Sequence, residues 1–302
     1  MKINIVPAVF FIAIAFFLLF NPINDAFKDY LISRYYNPPL YLLYGNISNN
    51  LKNLKIDALS VISIKVVNGK EEILFEKNAD RILPIASLTK LMTAFVIFEY
   101  PKQYDLSQTI TISDNVLEIN GDYGFEEKEF LRKDLLSAML IESNNDAAYA
   151  LAQNVPFEED GLKNFIKLMN NKAEELNLKK TFFTSSTGLS EDYSTAREIA
   201  ELSKVILYKH PDILKVSIEP SFNISDVSNE FNYLAVNKNE LLNKLPNIVG
   251  GKTGWTKISG GCLVLIQKNE KEEYFINVIL GTDSQELRFK EMEKLSQSTY
   301  DN

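Results

Sequence analysis

Residues 84–96 read Pro84-Ile85-Ala86-Ser87-Leu88-Thr89-Lys90-Leu91-Met92-Thr93-Ala94-Phe95-Val96. From Ser87 to Tyr100 the pattern is helical, and Pro84 suits a helix entry because its φ is already set and its missing N–H is not needed there. The stretch from Ala86 to Val96 is otherwise apolar or small, which places the helix in the interior. Lysine is almost never fully buried unless it is paired, so Lys90 in such a helix needs a reason. Residues three apart share a helix face, which sets the Ser87 hydroxyl beside the Lys90 amine. A serine hydroxyl is a weak nucleophile and needs a base. An amine can serve when burial, a second positive charge or the positive end of a helix lowers its pKa. The spacing alone is a weak signal: with 22 serines and 27 lysines among 302 residues, roughly two S-x-x-K matches arise by chance.

Working outward, residues 61–67 are rich in β-branched side chains and predict a strand. Asn68-Gly69 is a strong hairpin turn, and residues 72–76 return as a second strand. Beyond the quoted helix, residues 131–152 carry two helical stretches joined around Ser143-Asn144-Asn145. Residues 162–176 and 195–208 predict two more helices. Residues 247–252 enter a strand, residues 262–266 and 274–280 form a hairpin, and residues 285–297 close the chain as a helix. Two strands, a long helical insertion, then three strands and a helix predict an α/β fold whose sheet is assembled from both chain ends, with helices on its faces.

Composition narrows the chemistry. Hydrophobic residues make up 46% and charged residues 24%, as in a globular domain. The net charge of −8 lacks the basic footprint of a nucleic-acid binder. With one histidine and one cysteine, His210 and Cys262, a zinc hydrolase is improbable and no cofactor is indicated. A Ser-His-Asp triad would have to use His210, which precedes Pro211 and reads better as a helix C-terminal residue favoured by the macrodipole. Met1-Lys2 is followed by an apolar run over residues 3–20 broken only by Asn4 and Pro7. Residues 1–22 therefore read as a signal anchor or signal peptide, with no A-x-A cleavage pattern after Phe20 favouring the anchor. Residues 23–55, rich in Tyr, Asn and Pro, read as a juxtamembrane spacer or as an extra layer on the main domain, residues 56–302.

Two further segments carry candidate chemistry. Around Ser143-Asn144-Asn145, Ser143 can relay a proton and the Asn145 amide can hold a carbonyl. The plain alternative is Asn145 or Asp146 capping the next helix, and both roles can hold together. Lys252-Thr253-Gly254 follows Gly250-Gly251 and precedes Trp255. Glycines in a strand mark close backbone approach. A peptide could add to this strand as an extra edge, with Lys252 and Thr253 meeting an anionic group. The alternative is an ordinary glycine-rich strand end. S-x-x-K, S-x-N and K-T-G in this order are the signature of penicillin-binding proteins and class A β-lactamases.

The chain resembles the serine D-alanyl-D-alanine carboxypeptidases, the low-molecular-mass penicillin-binding proteins of peptidase family S11. The likeness covers residue 56 to the end. It includes residues 84–94, residues 139–148, Thr187-Gly188-Leu189, Ser194-Thr195-Ala196-Arg197 and residues 249–256. The resemblance implies a β-lactamase/transpeptidase-like fold, α/β or α+β by scheme. Its sheet would be five-stranded and mainly antiparallel, with an all-helical insertion. It implies acylation of Ser87 by the penultimate D-alanine of a peptidoglycan stem peptide, Lys90 as general base and Ser143 passing protons. Asn145, Lys252, Thr253 and Gly254 would bind substrate, the amides of Ser87 and Trp255 would form the oxyanion hole, and Lys238 would help bind the terminal carboxylate. Arg197 is read as structural. β-Lactams are implied as covalent inhibitors. The implied place of action is outside the cytoplasmic membrane, held there by the N-terminal segment.

Two other functions compete. A class A β-lactamase would carry a deacylating glutamate in an E-x-x-L-N stretch, but Leu176-Asn177 is preceded by Ala173 at that position. A penicillin-acylated sensor or wall-peptide-binding protein with little turnover would keep the same site residues.

Overall fold

The computed structural model describes residues 51, 53–112, 125, 127–154 and 160–300. The N-terminal anchor expected over residues 1–22 and nearly all of the expected spacer lie outside them. Leu51 and Leu54 pack beside Leu74 and Phe275 at one end of the sheet.

Strand β1 (Ser60–Val67) turns through Asn68 and Gly69, both at positive φ, into β2 (Lys70–Lys77). Two left-handed residues match the twist of a two-residue hairpin, which is why Asn-Gly stands there. The short β3 (Leu83–Pro84) leads into a 3-10 turn, Ala86–Leu88, and then helix α1 (Thr89–Glu99). Ribbon β4 (Thr109–Thr111) and β5 (Glu129–Leu131) precedes α2 (Arg132–Ile141), α3 (Asn145–Gln153) and α4 (Gly161–Glu175). Strand β6 (Tyr193–Ser194) pairs with β3 and leads to α5 (Ala196–Lys209). Next come α6 (Pro211–Ser217) and the hairpin β7 (Ser221–Ser225) and β8 (Asn232–Val236). Strands β9 (Ile248–Thr256), β10 (Gly260–Lys268) and β11 (Tyr274–Thr282) and helix α7 (Gln285–Tyr300) complete the chain.

The main sheet has the order β2-β1-β11-β10-β9 with every neighbouring pair antiparallel. The first and last of the described strands pair in its middle, where Val61 faces Ile279. Between local irregularities at Ser63/Ile64, Gly261/Cys262 and Ile266/Gln267, side chains alternate between its faces. Val61, Leu263, Leu265 and Ile279 join Phe289, Met292 and Leu295 of α7. Ile62, Val264, Val278 and Leu280 join Ile199, Val205 and Ile206 of α5 in the larger core. Covering both faces makes β10 and β11 almost continuously apolar. The larger core extends into the helical insertion around α1, whose residues from Thr89 to Ile97 are all buried.

Sequence and structure differ in detail. The expected helix from Ser87 divides into the 3-10 turn and α1. Pro211, read as a helix breaker, ends α5 but also opens α6 at its first position, where its absent N–H costs nothing. The β7–β8 hairpin was not expected, because its strands are short and expose Leu234 and Val236 rather than showing a buried run.

Candidate active site

The site lies where the 3-10 turn, the α2–α3 junction and strand β9 converge. In a 3-10 turn, side chains three apart eclipse each other. Ser87 sits in that turn and Lys90 just beyond it, and Lys90 Nζ lies 3.0 Å from Ser87 Oγ. Ala86 adopts φ +47°, left-handed backbone that non-glycine residues rarely occupy. It has Gly188 against it: a β-carbon at Gly188 would come 2.0 Å from the Ala86 carbonyl oxygen.

Lys90 has no exposed surface. Its ammonium also reaches Asn145 Oδ1 at 2.8 Å and the Thr187 carbonyl oxygen at 2.5 Å. All three partners are neutral. Burial therefore pulls the Lys90 pKa down to about 7, against the opposing pull of the Asp192 charge.

The second segment folds as a helix end followed by a helix start. The amides of Glu142 and Asn144 both bond the Ala138 carbonyl, and Ser143 between them takes φ +68°, where glycine is usual. A non-glycine left-handed residue costs of order 1–3 kcal/mol and marks a site the surroundings hold in place. It lets Ser143 Oγ accept from Lys252 Nζ at 2.8 Å. The cap of α3 is Asn144, not Asn145 or Asp146: its Oδ1 accepts the Ala147 amide at 2.9 Å and the residue is buried. Asn145 is thereby left for Lys90.

The third segment forms the edge strand β9. Lys252 and Thr253 are buried, and Lys252 Nζ also bonds the Thr253 carbonyl at 3.0 Å. Burial first, then the charges of Lys90 and Arg288, hold the Lys252 pKa well below the usual lysine range. Gly254 faces the turn: a β-carbon there would stand 3.1 Å from the Ser87 amide nitrogen. Gly250 leaves room for Leu214 of α6, whose atoms a β-carbon would meet at 2.8 Å. Trp255, at the strand end, is 38% exposed.

The structure thus brings together Ser87, Lys90, Ser143, Asn145 and Lys252, with Thr253 and Gly254 adjoining. Lys238 sits at the rim. It is half exposed, and its ammonium is 3.1 Å from the buried Glu142 carboxylate, which also accepts the Tyr233 hydroxyl. Arg197, away from this cluster, pairs with Asp80 and Glu76. His210 lies at the far end of α1 from Lys90, about 14 Å along the helix, with its ring 2.7 Å from Glu99. Ala173 is buried in α4. The sequence assigned no role to the Thr187 carbonyl or to Arg288, whose Nη1 donates to the Gly254 carbonyl at 2.6 Å. A backbone acceptor has no residue signature, and an arginine in a helix crowded with charged residues reads as surface.

A family model described as D-alanyl-D-alanine carboxypeptidase, peptidase S11, matches residues 47–284. A D-alanyl-D-alanine endopeptidase from Pseudomonas aeruginosa is 36% identical over 64% of this chain and 62% of its own length. A D-alanyl-D-alanine carboxypeptidase from Bacillus subtilis is 31% identical over 79% of this chain and 61% of its own. The chain thus spans about three-fifths of the length of these curated relatives. Penicillin-binding protein D2 from Listeria monocytogenes, solved in its ampicillin-bound form, is 32% identical with a TM-score of 0.72, over 82% of this chain and 99% of that one. A Streptomyces K15 DD-transpeptidase variant shares the fold at a TM-score of 0.74 and 22% identity, over 83% of this chain and 100% of its own.

Proposed function

The chain belongs to the D-alanyl-D-alanine carboxypeptidase family, peptidase S11, and from that premise we propose that it is a serine DD-peptidase. It removes the terminal D-alanine of peptidoglycan pentapeptide stems through an acyl-enzyme on Ser87. The observation that carries this reading is the wholly buried Lys90 amine, 3.0 Å from Ser87 Oγ and held near a pKa of about 7.

The amine geometry supports a base. A neutral amine keeps two N–H donors and one lone pair. With the donors committed to Asn145 Oδ1 and the Thr187 carbonyl, the lone pair faces Ser87 Oγ and accepts its proton as the hydroxyl attacks the penultimate D-alanine carbonyl. The developing oxyanion meets the amides of Ser87 and Trp255; the close passage of Gly254 beside the Ser87 amide supports this. The Lys252–Ser143 contact offers a path for the proton delivered to the leaving D-alanine nitrogen. Lys252 and Thr253 hold the terminal carboxylate, Gly254 leaves the backbone room that the reacting carbonyl needs, and Lys238 draws the substrate from the rim. Water then hydrolyses the ester. β-Lactams acylate the same serine, and the place of action is outside the cytoplasmic membrane, with residues 1–22 as the tether.

A fluorescent penicillin is expected to label the protein covalently, and Ser87→Ala to abolish the label; labelling that survives the change defeats the nucleophile assignment. A pentapeptide ending in D-Ala-D-Ala should yield free D-alanine only with Ser87 present. Labelling without D-alanine release favours a penicillin-acylated sensor. Likeness to an endopeptidase favours a second reading, cleavage of D-alanyl cross-links. A cross-linked dimer cut faster than the pentapeptide would select it.

A further inference from the structure

Asp192 lies two residues before the 194–197 stretch and has no exposed surface. Its side chain does not touch Lys90 but builds the turn that does. One carboxylate oxygen accepts the Thr184 amide at 2.6 Å and the Ser185 amide at 3.0 Å. The other accepts the Ser185 hydroxyl at 2.6 Å. Ser185 Oγ in turn accepts the amides of Gly188 at 2.9 Å and Thr187 at 3.3 Å. The Gly188 amide shares its peptide unit with the Thr187 carbonyl, whose oxygen receives Lys90. The turn is wedged against the nucleophile itself, since Gly188, at φ +86°, has no room for a β-carbon beside Ala86. The Asp192 main chain holds the other side: its carbonyl accepts the Ile85 amide at 3.2 Å, two residues before Ser87.

We propose that Asp192 is the positioning residue of the Lys90 base. Through Ser185 it fixes the Thr187 carbonyl that aims the amine at Ser87, and its carboxylate sets the charge balance around that amine. The proposal deepens the serine-peptidase reading and rests on it for the meaning of a base.

Other charges on elements packed around α1 are engaged elsewhere or have the opposite sign. Lys252 of β9 can add only positive charge, and Arg288 of α7 stands behind Gly254. Glu142 at the end of α2 is held by Lys238 and Tyr233. Asp146 is buried in the first turn of α3. Lys172 of α4, Lys209 of α5 and His210 turn to Glu99, and Lys204 turns to Glu71 and Glu201. Asp192 is the negative charge that opposes burial at Lys90.

Two variants separate the two roles. Asp192→Asn keeps an oxygen for the Thr184 and Ser185 amides and removes the charge, but it sets an N–H donor where the Ser185 hydroxyl was accepted, so it is read on the Lys90 midpoint and not on the acylation rate. Ser185→Ala keeps the charge but cuts the path to Thr187. Lys90 is followed directly by NMR of protein carrying 13Cε-labelled lysine, with Lys90→Met identifying its signal. The parent midpoint is expected near 7 and should fall by about one unit in Asp192→Asn, because a nearby opposite charge favours the ammonium. In Ser185→Ala the midpoint should stay within about half of that shift, while penicillin acylation at pH 8.5 should fall about tenfold or more.

An unmoved midpoint in Asp192→Asn, or a parent-like acylation rate in Ser185→Ala, overturns the proposal. If Asp192→Asn does not fold, Ser185→Ala decides alone. A parent protein whose Lys90 titrates near 7 but that penicillin does not label defeats the proposed function, while the midpoint shift in Asp192→Asn still tests the charge role.

Discussion

At the N-terminal end of α1, Lys90 is buried among three neutral acceptors: Ser87, Asn145 and the Thr187 carbonyl. At the C-terminal end of the same helix, Glu99 is buried among Lys172 at 3.3 Å, Lys209 at 2.6 Å and His210 at 2.7 Å. Burial opposes the charge at both ends. At Lys90 burial wins, and the pKa falls to about 7. At Glu99 burial is outweighed by hydrogen bonds from His210 and Lys209 and by the lysine charges, and the pKa falls to about 2. One end keeps an ion firmly charged and ties α4 and α5 to the helix. The other keeps an ion that is easily neutralised and therefore usable as a base.

Replacing Lys90 with methionine should break the first end with the largest effect. Penicillin acylation should fall by about 10²–10⁴-fold, the range for losing a positioned base. The melting temperature should hold or rise, because a buried cation without a carboxylate partner is a cost to folding. A steep loss of melting temperature would show that Lys90 is structural after all.

Glu99→Gln should do the reverse. It leaves two lysines facing an uncharged group and should cost about 3 kcal/mol in denaturant unfolding, with the acylation rate per folded molecule near that of the parent. The pH dependence of stability checks the same end. A carboxylate whose folded pKa lies below its unfolded value contributes stability that is present above the unfolded pKa. That contribution is lost as pH falls from about 4.5 toward about 2. The variant's stability curve should lose that slope.

The pH profile of acylation sharpens the other end. Below a midpoint of about 7 the rate should fall about tenfold per pH unit, as the neutral amine becomes scarce, and above it the rate should level off. A limb centred near an ordinary lysine value, or no limb, would mean that Lys90 is not the base. The smallest effect is expected at the rim. Lys238→Ala removes a half-exposed cation already paired with Glu142. It should raise the half-saturating peptide concentration by about fivefold or less, since exposed pairs are worth about 1 kcal/mol or less.

Much of this was legible in the chain. Asn68-Gly69 specified the first hairpin, the apolar character of residues 86–96 specified a buried helix, and the strand segments before and after the helical insertion specified a sheet assembled from both. Residues with conspicuous chemistry at short spacing, Ser87 with Lys90 and Lys252 with Thr253, could be named in advance. The cap of α3, expected at Asn145 or Asp146, falls at Asn144, because each of these three side chains can cap. Only the left-handed turn at Ser143 decides which of the two asparagines points inward.

By itself, then, the sequence determined the order of elements and the residue types of the site, because periodicity, turn chemistry and i,i+3 proximity are local. The tertiary structure decided which buried ion is easily neutralised and which is held charged by its partners. Beyond Ser87, the partners of Lys90 lie 55 and 97 residues away, and those of Glu99 lie up to 111 away. A buried group's charge state depends on those neighbours and on lost solvent, and neither is written in the residues beside it.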